Sequence, residues 1–187
     1  MDFKIHDKNT ANEQAGKLLE QAEGKYGFTP NILGVFAEAP AALEGYMTLM
    51  GLFEEKSDFS AVEQQVVLLT VSAENGCGYC MAAHSTIAGN TEMTDETLQA
   101  LRENTALPDS KLEALRALTR DVVQSRGNPD KAALNTFFEA GYNNRHLLEV
   151  ITGVALKTLS NYTNHLAETP LDEVFQDAAW TKEEQAA

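Results

Sequence analysis

The run "VEQQVVLLTVSA", residues 62–73, constrains the fold of this chain more than any other stretch. Before it, Ser60 and Glu63 form a capping box, in which each side chain can accept the other residue's free backbone N–H at the start of a helix. After it, Asn75-Gly76 is a pair suited to the left-handed backbone that ends a helix. A helix that is apolar on most faces belongs at the centre of a bundle. The sequence therefore predicts a buried central helix between these two signals.

The rest of the chain is also punctuated like a series of helices, and the alternation typical of β-strands is hard to find. We therefore predict an all-α fold. We predict a helix from Glu13 to Glu23, where Gly24 and Gly27 interrupt the pattern, and another from about His146 to Leu159. Two helices should begin with a proline after a threonine N-cap, at Thr29-Pro30 and at Thr169-Pro170. Four more should begin at Pro40 and after the N-caps Thr94, Asp109 and Asn128.

The chain has 187 residues, enough for one domain with a sizeable core. Apolar residues make up 43% and charged residues 22%, close to the averages for globular proteins, and no segment has the composition of a flexible linker. We expect a single all-helical domain over residues 1–187, with its core at about 40–125 and helical extensions at both ends.

The charge of the chain disfavours two classes of partner. There are 14 basic and 28 acidic residues, so the formal net charge is −14, which repels nucleic-acid phosphates and anionic lipid headgroups. The N-terminus "MDFKIHDKNTANEQ" lacks the apolar core of a signal peptide, and no apolar stretch approaches the roughly 20 residues that span a bilayer. We therefore expect a cytoplasmic protein with neither a nucleic-acid nor a membrane partner.

The stretch "NGCGYCMAAH", residues 75–84, contains both cysteines of the chain, at C-x-x-C spacing. Under reducing conditions such a pair is redox-active or metal-binding before it is a structural disulfide. If a helix begins here, Cys77, Cys80 and His84 share one face. Residues three apart on a helix have Cα atoms roughly 5 Å apart, so a disulfide could form with little backbone movement.

Position on that helix suggests a role for each thiol. A thiolate in the first turn is stabilised by the free N–H groups and the helix dipole, which favours Cys80 as nucleophile. His84, one turn later, can accept the proton or stay as a cationic partner. We assign Cys80 as the attacking thiolate and Cys77 as the resolving thiol. Attack on a hydroperoxide would give a sulfenic acid on Cys80, which Cys77 condenses to a disulfide that an external dithiol must reduce.

The segments "VSAENGC" and "CGYCMAAH" resemble the signature of the alkylhydroperoxidase D-like branch of the carboxymuconolactone decarboxylase superfamily, with its motif C-x-x-C-x-x-x-H. The stretches "YGFTPNILGVFAEAPAALEGY" and "NYTNHLAETPLDEVF" resemble the flanks of longer, peroxidase-related members. The resemblance implies a helical bundle of the alkylhydroperoxidase D-like type, assembly into homo-oligomers such as trimers or hexamers, and thiol peroxidase activity without a bound cofactor. It implies a dithiol or thioredoxin-like reductant, and it transfers the cysteine and histidine roles to Cys77, Cys80 and His84.

The sequence departs from that family at one candidate catalytic position. Members usually carry a glutamate twelve residues before the first cysteine as part of a proton relay, and here that position is Gln65. Glutamine can orient His84 or hold a water, but it cannot take up a proton near neutral pH. Glu63 lies about 200° around the helix from Gln65 and should not replace it. The relay would run through water or through Glu74, or turnover would be weak.

Other interpretations of the cysteine pair remain open. The protein could be a protein disulfide oxidoreductase, a non-catalytic redox sensor or a helical binding module, and the thiols could be merely structural. A zinc site could use both cysteines and His84 with His146 or His165 as fourth ligand. Structural zinc usually draws its ligand pairs from separate elements, so we expect no metal. Decarboxylation is disfavoured, because the resemblance places that activity in a branch without the cysteine pair.

Overall fold

The computed structural model describes residues 3–182, and the regular structure in this range is entirely helical, which confirms the all-α prediction. The α-helices are α1 (Glu13–Tyr26), α2 (Asn31–Phe36), α3 (Pro40–Lys56), α4 (Ala61–Asn75), α5 (Gly78–Ala88), α6 (Asp95–Glu103), α7 (Ser110–Gln124), α8 (Lys131–Glu139) and α9 (Asn144–Ala167). A short 3-10 helix follows at Glu173–Ala178. Over the described range, no helix combines the length and the apolar character needed to cross a bilayer.

Helix α4 is the centre of the bundle, as its sequence predicts. The capping box is present in both directions between Ser60 and Glu63, and Gly76 ends the helix in the left-handed conformation with φ of 69°. Val66, Val67 and their neighbours along the helix are almost completely buried. Helices α5, α7 and α9 pack around α4, so the residues that follow Gly76 start from a fixed, buried point.

Helix α9 approaches α4 closely at a glycine. A Cβ atom placed on Gly153 would lie 2.6 Å from Cγ1 of Val67 and 3.2 Å from the ring of Phe53, so only glycine fits without a shift of these neighbours. The close crossing lays the second half of α9 beside the start of α5, which follows α4 after a single turn. The ends of three helices therefore meet in one place.

We call residues 169–182 the C-terminal strap, because this segment runs back across α5. The Arg102 side chain on α6 donates hydrogen bonds of 3.0 Å to the carbonyl oxygens of Ala178 and Ala179. The indole N–H of Trp180 donates to the carbonyl oxygen of Arg102 at 2.9 Å. A Cβ on Gly78 would lie 2.8 Å from the carbonyl oxygen of Trp180. The strap thus covers the start of α5.

Several predicted boundaries are confirmed and others are wrong. Pro40 begins α3, and Thr94 and Asp109 cap α6 and α7 through their side chains. Two helices are longer than predicted: α1 includes Gly24 and continues to Tyr26, and α9 begins at Asn144 and continues to Ala167. Two N-caps differ from the prediction, since the N-cap of α2 is Pro30 and not Thr29, and that of α8 is Asp130 and not Asn128.

The predicted final helix at Thr169-Pro170 is also wrong. Residues 169–172 are not helical, and the 3-10 helix begins only after Asp172. The physical reason is a tertiary contact, because the carboxylate of Asp172 accepts the backbone N–H of Asn31 at 3.0 Å. Asp172 thereby supplies the side-chain cap of α2 that neither Thr29 nor Pro30 provides, and it joins the strap to the N-terminal part of the chain.

Candidate active site

The two cysteines lie where the chain turns from α4 into α5. Cys77 is the N-cap residue of α5, and Cys80 lies in the first turn of that helix. The backbone N–H of Cys77 donates to the carbonyl oxygen of Ser72 at 2.9 Å, which fixes the turn. Both cysteines are free thiols, and their exposed fractions are only 1% and 3%. The predicted helix start is therefore present, but the pair is buried.

Helix α9 brings polar side chains to both sulfur atoms. The amide Nδ2 of Asn164 lies 3.3 Å from Sγ of Cys80 and 3.7 Å from Sγ of Cys77. The hydroxyl Oγ of Ser160, one turn earlier on α9, lies 3.7 Å from Sγ of Cys80. Asn164 and Ser160 are themselves almost completely buried. Cys80 thus has two polar contacts from α9 in an environment without much solvent.

Lys157 lies one turn before Ser160 and borders the same cavity as Cys80. Its side chain is fully buried, and its Nζ has no hydrogen-bond partner among residues 3–182. A buried ammonium without a partner is energetically costly, so it needs an opposite charge nearby. The positive charge of Lys157 helps to lower the pKa of Cys80, which makes the Cys80 thiolate its natural counter-charge.

The environment distinguishes the two thiols. Burial raises the pKa of Cys80, but the hydrogen bond from Cys77, the charge of Lys157 and the hydrogen bond between Cys80 and Ser160 together hold it well below its usual range. The hydrogen bond to Cys80, followed by burial, raises the pKa of Cys77. The favoured state is therefore a thiolate on Cys80 and a thiol on Cys77, which is the asymmetry that our assigned roles require.

His84 contacts Gln65 rather than a carboxylate. Nδ1 of His84 lies 3.0 Å from Oε1 of Gln65, and both residues are buried. Burial, and then the charge of Lys157, lower the pKa of His84 well below its usual range, so the ring is neutral. A cationic His84 beside Cys80 was one of two states expected from the sequence; in the structure the cationic side chain in this cavity is Lys157. Because the Gln65 oxygen can only accept, Nδ1 carries the hydrogen and Nε2 remains an acceptor.

The two alternative carboxylates are engaged elsewhere. Glu63 accepts hydrogen bonds from Ser60, Lys111 and Tyr142, so it is a cap and not a substitute for Gln65. Glu74 accepts a hydrogen bond of 2.8 Å from Gln124, and its other oxygen lies 3.5 Å from Arg120. Neither glutamate borders the cavity of Cys80. The expectation that Glu74 could supply the proton relay is therefore wrong, because α7 binds it on another side of α4.

A small cavity of about 70 Å³ opens onto Cys80. Its polar lining comes from Cys80, His84, Lys157 and Ser160. The remaining wall is mainly apolar and aromatic and includes Ile32, Tyr46, Met50, Tyr79, Ile87 and Phe175. The hydroxyl of Tyr79 is hydrogen-bonded to Asp172 of the strap, so this aromatic wall is held in place. The site can therefore hold a small, largely apolar molecule against the sulfur of Cys80.

The zinc alternative lacks a ligand set. In the part of the chain that the structure describes, no three or more His, Cys, Asp or Glu side chains converge as metal ligands would. His146 packs against the rings of Phe59 and Tyr142, and its Nδ1 accepts the backbone N–H of Asn143. His165 is on an exposed part of α9. Neither histidine is available as the fourth ligand that this interpretation requires.

Sequence reasoning missed the contribution of α9. Lys157, Ser160 and Asn164 are spaced three and four residues apart, so they share one helix face. Cys77, Cys80 and His84 have the same spacing. A polar stripe within an otherwise apolar helix was the available signal, because polar side chains on a buried face need a partner. The sequence shows the stripe but not the element that it faces.

Comparison with known proteins agrees with this geometry. The profile of the carboxymuconolactone decarboxylase family matches residues 38–120, which include Cys77, Cys80 and His84 but none of α9. No curated protein sequence matches the chain significantly.

Among solved structures, the chain is similar to an uncharacterized peroxidase-related protein from Ralstonia eutropha JMP134, described as an alkylhydroperoxidase AhpD core. The two are 18% identical, with a TM-score of 0.81 over 91% of this chain and 92% of the other. An uncharacterized peroxidase-related protein from Silicibacter sp. TM1040 is 17% identical, with a TM-score of 0.80 over 94% of this chain and 92% of the other. The debrominase Bmp8 in its apo form is 16% identical, with a TM-score of 0.79 over 98% of this chain and 97% of the other.

These likenesses show that the alkylhydroperoxidase D-like fold extends over nearly the whole chain. The C-x-x-C-x-x-x-H residues lie inside the segment that the family profile matches, and they meet in one buried site. Residues 38–120 are therefore similar to the carboxymuconolactone decarboxylase family, and the chain has the alkylhydroperoxidase D-like fold.

Proposed function

We propose that the protein is a thiol-dependent peroxidase, which reduces hydrogen peroxide or organic hydroperoxides through a dithiol/disulfide cycle of Cys77 and Cys80. One observation carries the proposal: of two adjacent buried thiols, Cys80 borders a small cavity and has polar contacts from Ser160 and Asn164. A thiolate facing an apolar pocket is suited to attack a neutral peroxide, whereas charged substrates would lose their hydration on entry.

In the proposed cycle, the Cys80 thiolate attacks the terminal oxygen of the hydroperoxide. The S–O bond forms and the O–O bond breaks, which leaves a sulfenic acid on Cys80 and an alcohol, or water from hydrogen peroxide. The thiol of Cys77 then displaces the hydroxyl of the sulfenic acid as water and forms the disulfide. An external dithiol or thioredoxin-like protein supplies the two electrons that restore both thiols. No bound cofactor is needed for these steps.

His84 is proposed to orient the substrate and not to carry charge. Its neutral ring donates from Nδ1 to Gln65, so Nε2 can accept a hydrogen bond from the O–H of a hydroperoxide. This arrangement would turn the terminal oxygen towards Cys80. Gln65 is then a positioning residue that fixes the tautomer and the ring of His84, a role that does not require it to titrate.

Burial of the thiols favours a small substrate over a protein disulfide. Sγ atoms of cysteines that are only 1% and 3% exposed cannot meet another protein's disulfide without local opening of the structure. A protein disulfide oxidoreductase and a non-catalytic redox sensor both remain distinguishable alternatives. The first would reduce protein disulfides faster than hydroperoxides, and the second would react once with an oxidant and then not turn over.

We also propose that the protein self-associates. Leu148, Ile151, Tyr162 and Leu166 share one face of α9 and are between 43% and 68% exposed, which is unusual for large apolar side chains on one helix. A second copy of the chain is the proposed occupant of this face, in line with the assembly that the family resemblance implies. Light scattering should then give an oligomer that Leu166→Lys dissociates, and a monomeric wild type would contradict the proposal.

The test of peroxidase function is dithiol-dependent consumption of hydrogen peroxide and tert-butyl hydroperoxide by metal-free protein. Cys80→Ser should be inactive. Cys77→Ser should consume about one equivalent of hydroperoxide and stop at a sulfenic acid, which dimedone would trap. Undiminished turnover by Cys80→Ser would overturn the proposal. The debrominase Bmp8 C82A was solved in complex with 2,3,4-tribromopyrrole, so this compound serves as a comparison substrate. If the protein consumed tribromopyrrole faster than hydroperoxide in a thiol-dependent reaction, the result would instead favour dehalogenation.

A further inference from the structure

We propose that Lys157 is the proton donor of this site, and that it hands a proton to the oxygen leaving group when the O–O bond breaks. The proposal rests on the proposed peroxidase function. It adds a catalytic residue from α9, outside the segment that the family profile matches.

The first support is the position of an otherwise unexplained buried charge. Lys157 is fully buried, its Nζ has no hydrogen-bond acceptor among the described residues, and it borders the cavity together with Cys80. A lysine in such a place is normally neutralised by a carboxylate. Among the described residues 3–182, no carboxylate borders this cavity, so this part of the chain supplies no permanent counter-ion for Lys157 in the lining. Cys80 supplies a charge only while it is a thiolate.

The second support comes from the other titratable groups that face the cavity. His84 from α5 is neutral, with its only N–H directed at Gln65, and Cys77, the N-cap of α5 behind Cys80, is a thiol whose pKa is raised by its hydrogen bond to Cys80. Burial also raises the pKa of Tyr46 from α3 and of Tyr79, and the Tyr79 hydroxyl is hydrogen-bonded to Asp172. Tyr26 from α1 lies at the exposed side of the cavity. Lys157 is the cationic side chain that borders the cavity beside Cys80.

The third support is charge balance in a buried site. When the thiolate becomes a sulfenic acid, the negative charge leaves the sulfur and appears on the departing alkoxide or hydroxide. If the proton stayed on Lys157, the cavity would hold an unpaired ammonium and would have to expel a strong base. Transfer of the proton from Nζ to the leaving oxygen makes both products neutral, so neither an isolated charge nor a strong base is left in an apolar environment.

In the oxidation step, Cys80–S⁻, ROOH and Lys157–NH₃⁺ give Cys80–S–OH, ROH and Lys157–NH₂. The sulfur of Cys80 loses two electrons, and the peroxide gains them. The amine of Lys157 can then take the proton of the Cys77 thiol and return it to the departing hydroxyl as the disulfide forms and water leaves. Reduction by an external dithiol supplies two protons, of which one remains on a cysteine thiol and the other restores the ammonium beside the Cys80 thiolate.

The test compares two oxidants that differ in the basicity of their leaving groups. An alkyl hydroperoxide releases an alkoxide, which needs a proton, whereas a peroxycarboxylic acid releases a carboxylate, which does not need one near neutral pH. The variant is Lys157→Met, because methionine has a similar length, and Cys80 can take up a proton when the ammonium is absent, so that no unpaired charge stays buried. Lys17→Met, on the exposed face of α1, is the matched control. Rates are divided by the thiolate fraction, measured from ultraviolet absorbance against pH.

We expect Lys157→Met to lose about 100-fold or more of its corrected rate with tert-butyl hydroperoxide, and less than about tenfold with a peroxycarboxylic acid. Equal corrected losses with both oxidants would overturn the proton-donor role and leave Lys157 only as a counter-charge. If Lys157→Met does not fold, the wild type decides the question, because its rates across a series of alkyl and aryl hydroperoxides should depend only weakly on leaving-group basicity. Steep dependence would contradict proton donation. A wild type inert towards all oxidants would instead overturn the peroxidase proposal itself.

Discussion

The side-chain amide of Asn164 on α9 lies 3.3 Å from Sγ of Cys80 on α5. This contact joins two helices that are distant in sequence and places a hydrogen-bond donor on the proposed nucleophile. A donor to a charged acceptor is worth about 1.5–3 kcal/mol. The stability of the Cys80 thiolate therefore depends on the docking of α9 as well as on the start of α5.

Asn164→Leu should weaken the thiolate. Loss of the amide donor should raise the pKa of Cys80 and lower the thiolate fraction at a fixed pH by roughly tenfold or more. The pKa is measured from thiolate absorbance against pH in a Cys77→Ser background. Thr163→Val is the control, because the Thr163 hydroxyl donates to the carbonyl oxygen of Leu159 within α9, and this change should leave the pKa of Cys80 unchanged. An unaltered pKa in Asn164→Leu would show that this contact does not stabilise the thiolate.

Gln65→Glu should raise the pKa of His84. The change places a carboxylate about 3.0 Å from Nδ1, and a nearby negative charge favours the protonated ring. If this pair restores the glutamate–histidine relay that the family resemblance implies, the peroxide rate should increase near neutral pH. Imidazole titration by NMR gives the pKa, and the pH–rate profile gives its consequence. Gln65→Leu offers no acceptor and should show neither effect; a flat profile in Gln65→Glu would exclude the relay.

Gly78→Ala should loosen the C-terminal strap. The added methyl group would lie 2.8 Å from the backbone carbonyl oxygen of Trp180, which cannot move without the strap. An overpacking strain of about 1–3 kcal/mol should increase transient exposure of Cys77 and Cys80 by roughly tenfold. Alkylation by a bulky maleimide reports this exposure. Gly45→Ala, where a Cβ meets no atom within 4 Å, is the control. Equal alkylation rates would mean that the strap does not limit access.

Glu63→Gln should reduce stability at neutral pH but not in acid. Burial raises the pKa of Glu63, but hydrogen bonds from Lys111, Ser60 and Tyr142 outweigh it and lower the pKa from 4.5 to about 2. A lowered carboxyl pKa stabilises the fold above the unfolded value of 4.5, and this stabilisation is lost as the pH falls through about 2. We expect Glu63 to contribute about 2 kcal/mol to the free energy of unfolding at neutral pH, since Lys111 is half exposed and solvent screens its ion pair with Glu63.

Urea unfolding of wild type and Glu63→Gln at neutral pH and near pH 3 measures this difference, which should narrow as the solution becomes more acidic. Glu13→Gln removes an ion pair with Lys17 in which both side chains are largely exposed. It should change the free energy of unfolding very little at either pH. A constant difference between wild type and Glu63→Gln at all pH values would show that the contribution of Glu63 is not electrostatic.

Local signals predicted much of the fold because they act between residues that are close in sequence. The Ser60–Glu63 capping box and Gly76 define α4, and Asp109 caps α7, each through contacts within a few residues. The failures have the opposite origin. Pro170 looked like the start of a helix, but Asp172 is held by Asn31, 141 residues away. Such a contact cannot be inferred from local pattern.

The sequence by itself determined the helical class, the central helix α4 and the face that carries Cys77, Cys80 and His84, because helix periodicity and caps are local properties. Tertiary structure alone decided the charge environment of that face. The crossing at Gly153 allows α9 to place Lys157, Ser160 and Asn164 around the thiols, while α4 gives His84 a neutral partner in Gln65. The charge and pKa of a buried group depend on which elements surround it, and only packing brings those elements together.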